Sequence, residues 1–109
     1  MTINPRQRYV AAVASNYVRL PGTPRAASRQ DRRLAADLYD RGVPLATVYA
    51  AFVLATTRRV IRSLAQPKLA DIRTLAYFLG AIDEILDDPP DPAYISYLAA
   101  KIKPFVAAK

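Results

Sequence analysis

Residues 45–64 read LATVYAAFVLATTRRVIRSL, a helix-length run whose first eleven residues hold a single polar side chain, Thr47. A helix that is apolar on every side must be surrounded by other elements. In a chain of 109 residues this run is therefore expected to be the central helix of a bundle, with the rest packed around Val48, Ala51, Phe52, Leu54 and Ala55. Its last turns change character: Arg58, Arg59 and Arg62 follow the apolar part. The same helix is thus expected to carry core at its start and positive charge where it emerges.

Working outward from it, Gly42 precedes the run by a short link, Val43-Pro44. Glycine is favoured just past a helix end because it accepts a left-handed backbone. Ser28 with Asp31 three residues on forms a capping-box pattern, and Leu34, Ala35 and Leu38 supply the buried stripe of a second helix that ends at Gly42. Before it, Pro21, Gly22 and Pro24 forbid helix, leaving a loop flanked by Arg19 and Arg25. A first helix over 5–18 is expected from Asn4 as cap and Pro5 as first residue, with Tyr9, Val10, Val13 and Tyr17 at helical spacing.

Beyond the central run, residues 65–71 form a break. Asp71 or a neighbour then caps a fourth helix with the stripe Ile72, Leu75, Ala76, Leu79, Ile82 and Leu86, broadened by Tyr77, Phe78 and Ile85. Pro89 and Pro90 end it, and Asp91-Pro92 starts a fifth helix that buries Ile95, Leu98, Ala99 and Ile102. Pro104 is expected to stop that helix and the tail after it to fray. The fold expectation is a single all-α domain over 1–109, a compact bundle of four or five helices with the second and fourth as closest neighbours of the central one.

Composition narrows the chemistry. Apolar residues make up 52% of the chain, enough for a core, and there is neither cysteine nor histidine. Disulfides, cysteine nucleophiles, histidine acid/base catalysis and the usual zinc sites are therefore excluded. No enzyme activity, cofactor or resident metal is expected. No apolar run reaches the roughly 18–20 residues of a membrane span, and the first ten residues lack a secretory core, which makes a cytoplasmic protein the expectation.

The net charge of +7 is uneven: residues 1–63 hold eleven Arg against three Asp, whereas 64–109 are nearly balanced. Such asymmetry favours an acidic partner, nucleic acid before an anionic membrane or acidic protein, although Arg used as generic surface charge gives the same count. Two clusters stand at helical spacing: Arg29, Arg32 and Arg33 on the second helix, and Arg58, Arg59 and Arg62 on the central one. Members three or four residues apart share a face and can follow a phosphate backbone with bidentate guanidinium contacts. Structural alternatives stay open: Arg32 can pair with Asp31, Asp37 or Asp40, and the later cluster suits the negative end of a helix dipole. Tyr39 and Tyr49 share the helices that carry the two clusters, with stacking on bases or burial of the ring as the alternatives.

Asp83, Glu84, Asp87 and Asp88 repel one another and oppose the dipole at a helix C-terminus. A basic surface of a protein partner or of a second copy would relieve this, with Asp83, Glu84 and Asp87 as its contacts; a solvated helix end is the plain alternative. No recognisable ion-binding loop adds the further oxygen donor that a metal site here would need.

Two segments, LYDRGVPLATVYAAFVLA at 38–55 and IRTLAYFLGAIDEIL at 72–86, together resemble the C-terminal domain of DnaD-like replication initiation proteins. The resemblance implies a compact helical domain that binds DNA and assists primosome assembly, with Arg58, Arg59 and Arg62 following the matching helix. The whole chain also resembles small bacterial proteins carried near mobile elements, which implies no activity by itself. The function expected is a non-enzymatic nucleic-acid-binding adaptor of replication initiation or mobile-element maintenance, with DNA favoured over RNA. The alternative is a protein-interaction module that self-associates or docks on a larger partner. No helix-turn-helix signature singles out a recognition helix.

Overall fold

The computed structural model describes residues 4–62 and 69–109 in full and the helical backbone of 63–65. It is all-helical: α1 Pro5–Tyr17, α2 Arg29–Asp40, α3 Leu45–Ala65, a 3₁₀ turn Leu75–Phe78, α4 Leu79–Asp87 and α5 Pro92–Ala107. Among the described residues there is no strand, and no helix is long and apolar enough to cross a membrane.

The helix starts follow local chemistry. Asn4 Oδ1 accepts from Gln7 N–H at 2.8 Å and Gln7 Oε1 accepts from Asn4 N–H at 3.1 Å, a reciprocal cap ahead of Pro5. Ser28 and Asp31 do the same for α2. At its end Gly42 lies at φ 77°, Gly42 N–H bonds Tyr39 O and Val43 N–H bonds Leu38 O. This left-handed terminus satisfies the last carbonyls and turns the chain into α3. Asp91 accepts from Ala93 N–H at 2.8 Å, so α5 begins where the Asp-Pro pair places it.

The core joins Tyr9, Val13 and Tyr17 of α1, Ala35 and Leu38 of α2, Val48, Ala51 and Phe52 of α3, and Leu75, Phe78, Ile82 and Ile85 of the turn and α4. Phe78 ties it together, its ring edge-to-face with Phe52 at 4.9 Å and Tyr17 at 6.0 Å. Such ring pairs add roughly 0.5–1.5 kcal/mol each beyond area burial. Tyr17 is fully buried, and burial, with the charge of Asp31 adding, pushes its hydroxyl up to about 12.

Four expectations are corrected. First, α3 is central, but its large contacts are with α4 and α5 and a smaller one with α1, whereas α2 packs on α1 and the 3₁₀ turn. Leu54 and Ala55 are half-buried while Thr56 and Thr57 are buried, so the enclosed face of α3 runs further along the helix than its most apolar stretch.

Second, no helix follows Asp71. Residues 69–74 are non-helical, because Ile72 N–H bonds Gly22 O at 2.7 Å and Leu75 N–H is capped by Asp31 Oδ1 from across the molecule at 2.9 Å. These tertiary partners delay the helix; Ile72, Leu75, Phe78, Ile82 and Ile85 are buried as expected, Leu79 is half-buried, and Ala76, Tyr77 and Leu86 are exposed. The start of the break, residues 66–68, lies outside the described residues.

Third, α5 runs through Pro104 to Ala107. Ala108 N–H bonds Pro104 O at 3.0 Å, so the turn after the proline closes. Fourth, the end of the chain is tied down: Lys109 Nζ reaches the loop between α1 and α2. Leu98 and Ile102 are buried as expected, while Ile95 and Ala99 are half-buried.

Candidate nucleic-acid interface

The inner and outer faces of α2 divide its charges. Asp31 is 4% exposed; one oxygen accepts from Ser28 N–H at 3.0 Å and the other from Leu75 N–H. It therefore serves two element starts, and it does not pair with Arg32. Asp40 is taken by Arg6 of α1, with Nε and a terminal nitrogen bonding both carboxylate oxygens at 3.0 and 2.9 Å. The Arg6 hydrogen bonds hold the Asp40 carboxyl below its ordinary value. Arg29, Arg32 and Arg33 are all exposed and form no ion pair among the described residues. Arg29 and Arg33 lie opposite Asp31, Ala35 and Leu38 on the helix, while Arg32 flanks that inner face beside the buried Ala36. Arg19 and Arg25, on the preceding loop, are exposed as well.

The second cluster is arranged differently. Arg58 donates two parallel hydrogen bonds, 2.7 and 2.6 Å, to Glu84 of α4. The two groups expected to bind separate partners thus bind each other. This fork holds the Glu84 carboxyl below its ordinary value. Arg59 donates to Ala70 O, stands over the Tyr77 ring at 5.8 Å and packs against Gly22. A Cβ on that glycine, which lies at φ 82°, would come within 3.4 Å of the guanidinium. Arg59 accordingly clamps the loop after α1 to the segment after α3. Arg62 alone of the three is exposed without a described ion pair.

The acidic end of α4 is also partly engaged. Asp83 stands 3.7 Å from Arg41, whereas Asp87 and Asp88 are exposed and form no ion pair among the described residues. No group of acidic side chains among the described residues could hold a metal ion. Beside this end lies a groove of about 320 Å³ between α3, α4 and α5, lined by Leu54, Ile61, Ile85, Pro90, Tyr94 and Leu98 among others. Ile61 is 62% and Tyr94 50% exposed, so the apolar lining of the groove is open to solvent.

The two tyrosines on the arginine-bearing helices each have a partner in the fold. Tyr39 sets its ring edge-to-face with Tyr9 at 5.3 Å, and the Tyr49 hydroxyl accepts from Asn16 Nδ2 at 3.1 Å. Tyr49 is half-buried, whereas Tyr39 stays 37% exposed beside its contact with Tyr9.

Two features had no local signal. The double use of Asp31 depends on residue 75, and the Lys109 contacts depend on a loop some 90 residues away. Only the capping pattern at Ser28 hinted at the first. In the second, burial among oxygens pushes the Lys109 ammonium below the ordinary lysine value, and the charge of Asp71 acts in the opposite sense. Comparison with protein families, with characterised proteins and with solved structures found no match to this chain.

Proposed function

We propose that the protein is a non-enzymatic nucleic-acid-binding adaptor whose grip lies on the outer face of α2. The observation that carries the reading is the contrast in pairing: Arg29, Arg32 and Arg33 are exposed without ion-pair partners among the described residues, while Arg58 is committed to Glu84. Guanidinium groups free of internal carboxylates keep their full capacity for bidentate phosphate contacts. The resemblance to DnaD-like domains points the same way, toward DNA rather than RNA in replication initiation or mobile-element maintenance, and hence toward the cytoplasm. Contacts of this kind fix position on the backbone without reading sequence.

The test is fluorescence anisotropy with a labelled oligonucleotide between about 50 and 200 mM salt. Replacing Arg29, Arg32 and Arg33 together by Ala should weaken binding and flatten the slope of log affinity against log salt by roughly two to three, about 0.7–0.9 for each lost phosphate contact. Replacing Arg58 and Arg62 should change it by one contact at most. An unchanged slope in the α2 triple variant, or no binding by the unaltered protein at the lowest salt, would remove this reading.

A second reading, a protein-interaction module, is favoured by the open groove between α3, α4 and α5, where Ile61 and Tyr94 remain exposed beside the acidic end of α4. Its prediction is that Ile61→Asp abolishes self-association or partner docking in sedimentation while leaving oligonucleotide binding intact.

A further inference from the structure

The loop between α1 and α2 surrounds the Lys109 ammonium with more oxygens than an ammonium can use. Nζ lies 2.6 Å from Val18 O, 2.8 Å from Leu20 O, 2.8 Å from Thr23 O, 2.6 Å from Thr23 Oγ1 and 3.4 Å from Pro24 O. An ammonium has three protons to donate, so five converging oxygens resemble the coordination shell of an ion more than a set of paired hydrogen bonds. A lysine that merely caps a helix needs one or two of the last carbonyls.

The shell is built without α5. Leu20 and Thr23 are buried, Leu20 N–H bonds Tyr17 O and Thr23 N–H bonds Leu20 O. The Thr23 hydroxyl lies 2.7 Å from Leu20 O and 2.9 Å from Tyr17 O, and can donate to one of them. Gly22 takes the left-handed backbone the turn requires, and its carbonyl is held by Ile72 N–H. With the lysine withdrawn, these fixed contacts would keep the carbonyls gathered at the negative end of the α1 dipole, where a cation is favoured. A cleft of about 460 Å³ bordered by Thr23, Pro24 and Asp71 adjoins the shell and opens it to solvent.

We propose that the 18–24 turn is a seat for a weakly hydrated monovalent cation, filled in cis by the Lys109 ammonium and open to potassium when that side chain is withdrawn. The donors decide the class of ion. All five are neutral oxygens, whereas calcium and magnesium are normally held with the help of carboxylates, at about 2.3–2.6 Å and 2.0–2.1 Å respectively. Rings of backbone carbonyls replace the hydration shell of potassium. Lys109 thereby joins the end of α5 to the end of α1 by ion-like coordination.

The experiment compares the unaltered protein with Lys109→Met by thermal melting in potassium chloride and in tetramethylammonium chloride at equal ionic strength, the latter cation being too large for the seat. The unaltered protein should melt alike in both. The variant should melt lower in tetramethylammonium and recover saturably as potassium replaces it, by about 4–8 °C if the seat is filled to roughly tenfold its dissociation constant. Should the variant fail to fold in tetramethylammonium, circular dichroism should show it folding as potassium is added. A potassium response no larger in the variant than in the unaltered protein, or a variant unfolded in both salts, overturns the proposal.

Discussion

The outer face of α2 and the last turns of α3 carry the same signal in sequence, three arginines within five residues, and the fold treats them in opposite ways. On α2 two of the three carboxylates that could have neutralised the cluster are drawn off, Asp31 turned inward to cap Leu75 and Asp40 held by Arg6, while Asp37 is exposed and forms no ion pair among the described residues. On α3 the neighbours close in, so that Arg58 meets Glu84 and Arg59 meets Ala70 and Tyr77. An arginine cluster is therefore a binding surface or a structural joint according to which elements pack beside it. Helical spacing is blind to the difference.

The sharpest way to break this comparison is at Asp31, whose inward turn frees the outer arginines. Asp31→Ala leaves Leu75 N–H and Ser28 N–H without their acceptor and should cost about 2–4 kcal/mol, from the loss of charge-assisted bonds and of a helix cap. It would be measured as a lower urea midpoint at unchanged slope. A loss below about 1 kcal/mol would mean that Asp31 does not organise both element starts.

A smaller effect separates the two clusters directly. Arg59→Ala should destabilise by about 1–2 kcal/mol, since it removes a charge-assisted hydrogen bond and the packing of the side chain on Gly22. Arg29→Ala should stay within about 0.5 kcal/mol, as expected of a surface site. Equal losses at the two positions would mean that the two clusters do not differ in structural role.

The smallest effect is the pH dependence of the Arg58–Glu84 fork. The folded-state Glu84 carboxyl lies below its ordinary value because of the Arg58 hydrogen bonds, so the folded protein binds that proton less readily than the unfolded chain. The resulting stability is present above the ordinary glutamate range and is lost as pH falls through it toward the depressed value. Between about pH 6 and pH 3, Arg58→Ala should lose less stability than the unaltered protein. Both groups are largely exposed, so solvent screening keeps the difference small. A steeper acid loss in the variant would contradict the pairing.

Much of the architecture was legible because it depends on neighbours in sequence. Asn4-Pro5, Ser28 with Asp31, Gly42 and Asp91-Pro92 mark helix ends through bonds that span a few residues, and the structure places those ends there. The fourth helix starts later than its sequence pattern suggests for the opposite reason. Residues 72–74 carry a helix-compatible pattern, yet Gly22 O and Asp31 claim the backbone N–H groups of Ile72 and Leu75 first. Pro104 does not stop α5, because a proline removes one hydrogen bond without preventing the next turn from closing.

What the sequence alone determined, then, is the helical class, most helix ends and a surplus of arginine in the first half, all set by local propensity, capping and composition. What only tertiary structure decided is which charges are spent internally. Arg58 and Glu84 lie 26 residues apart, and Lys109 is 86 residues from Thr23. Pairings at such separations are fixed by how helices pack, and no short-range pattern encodes them.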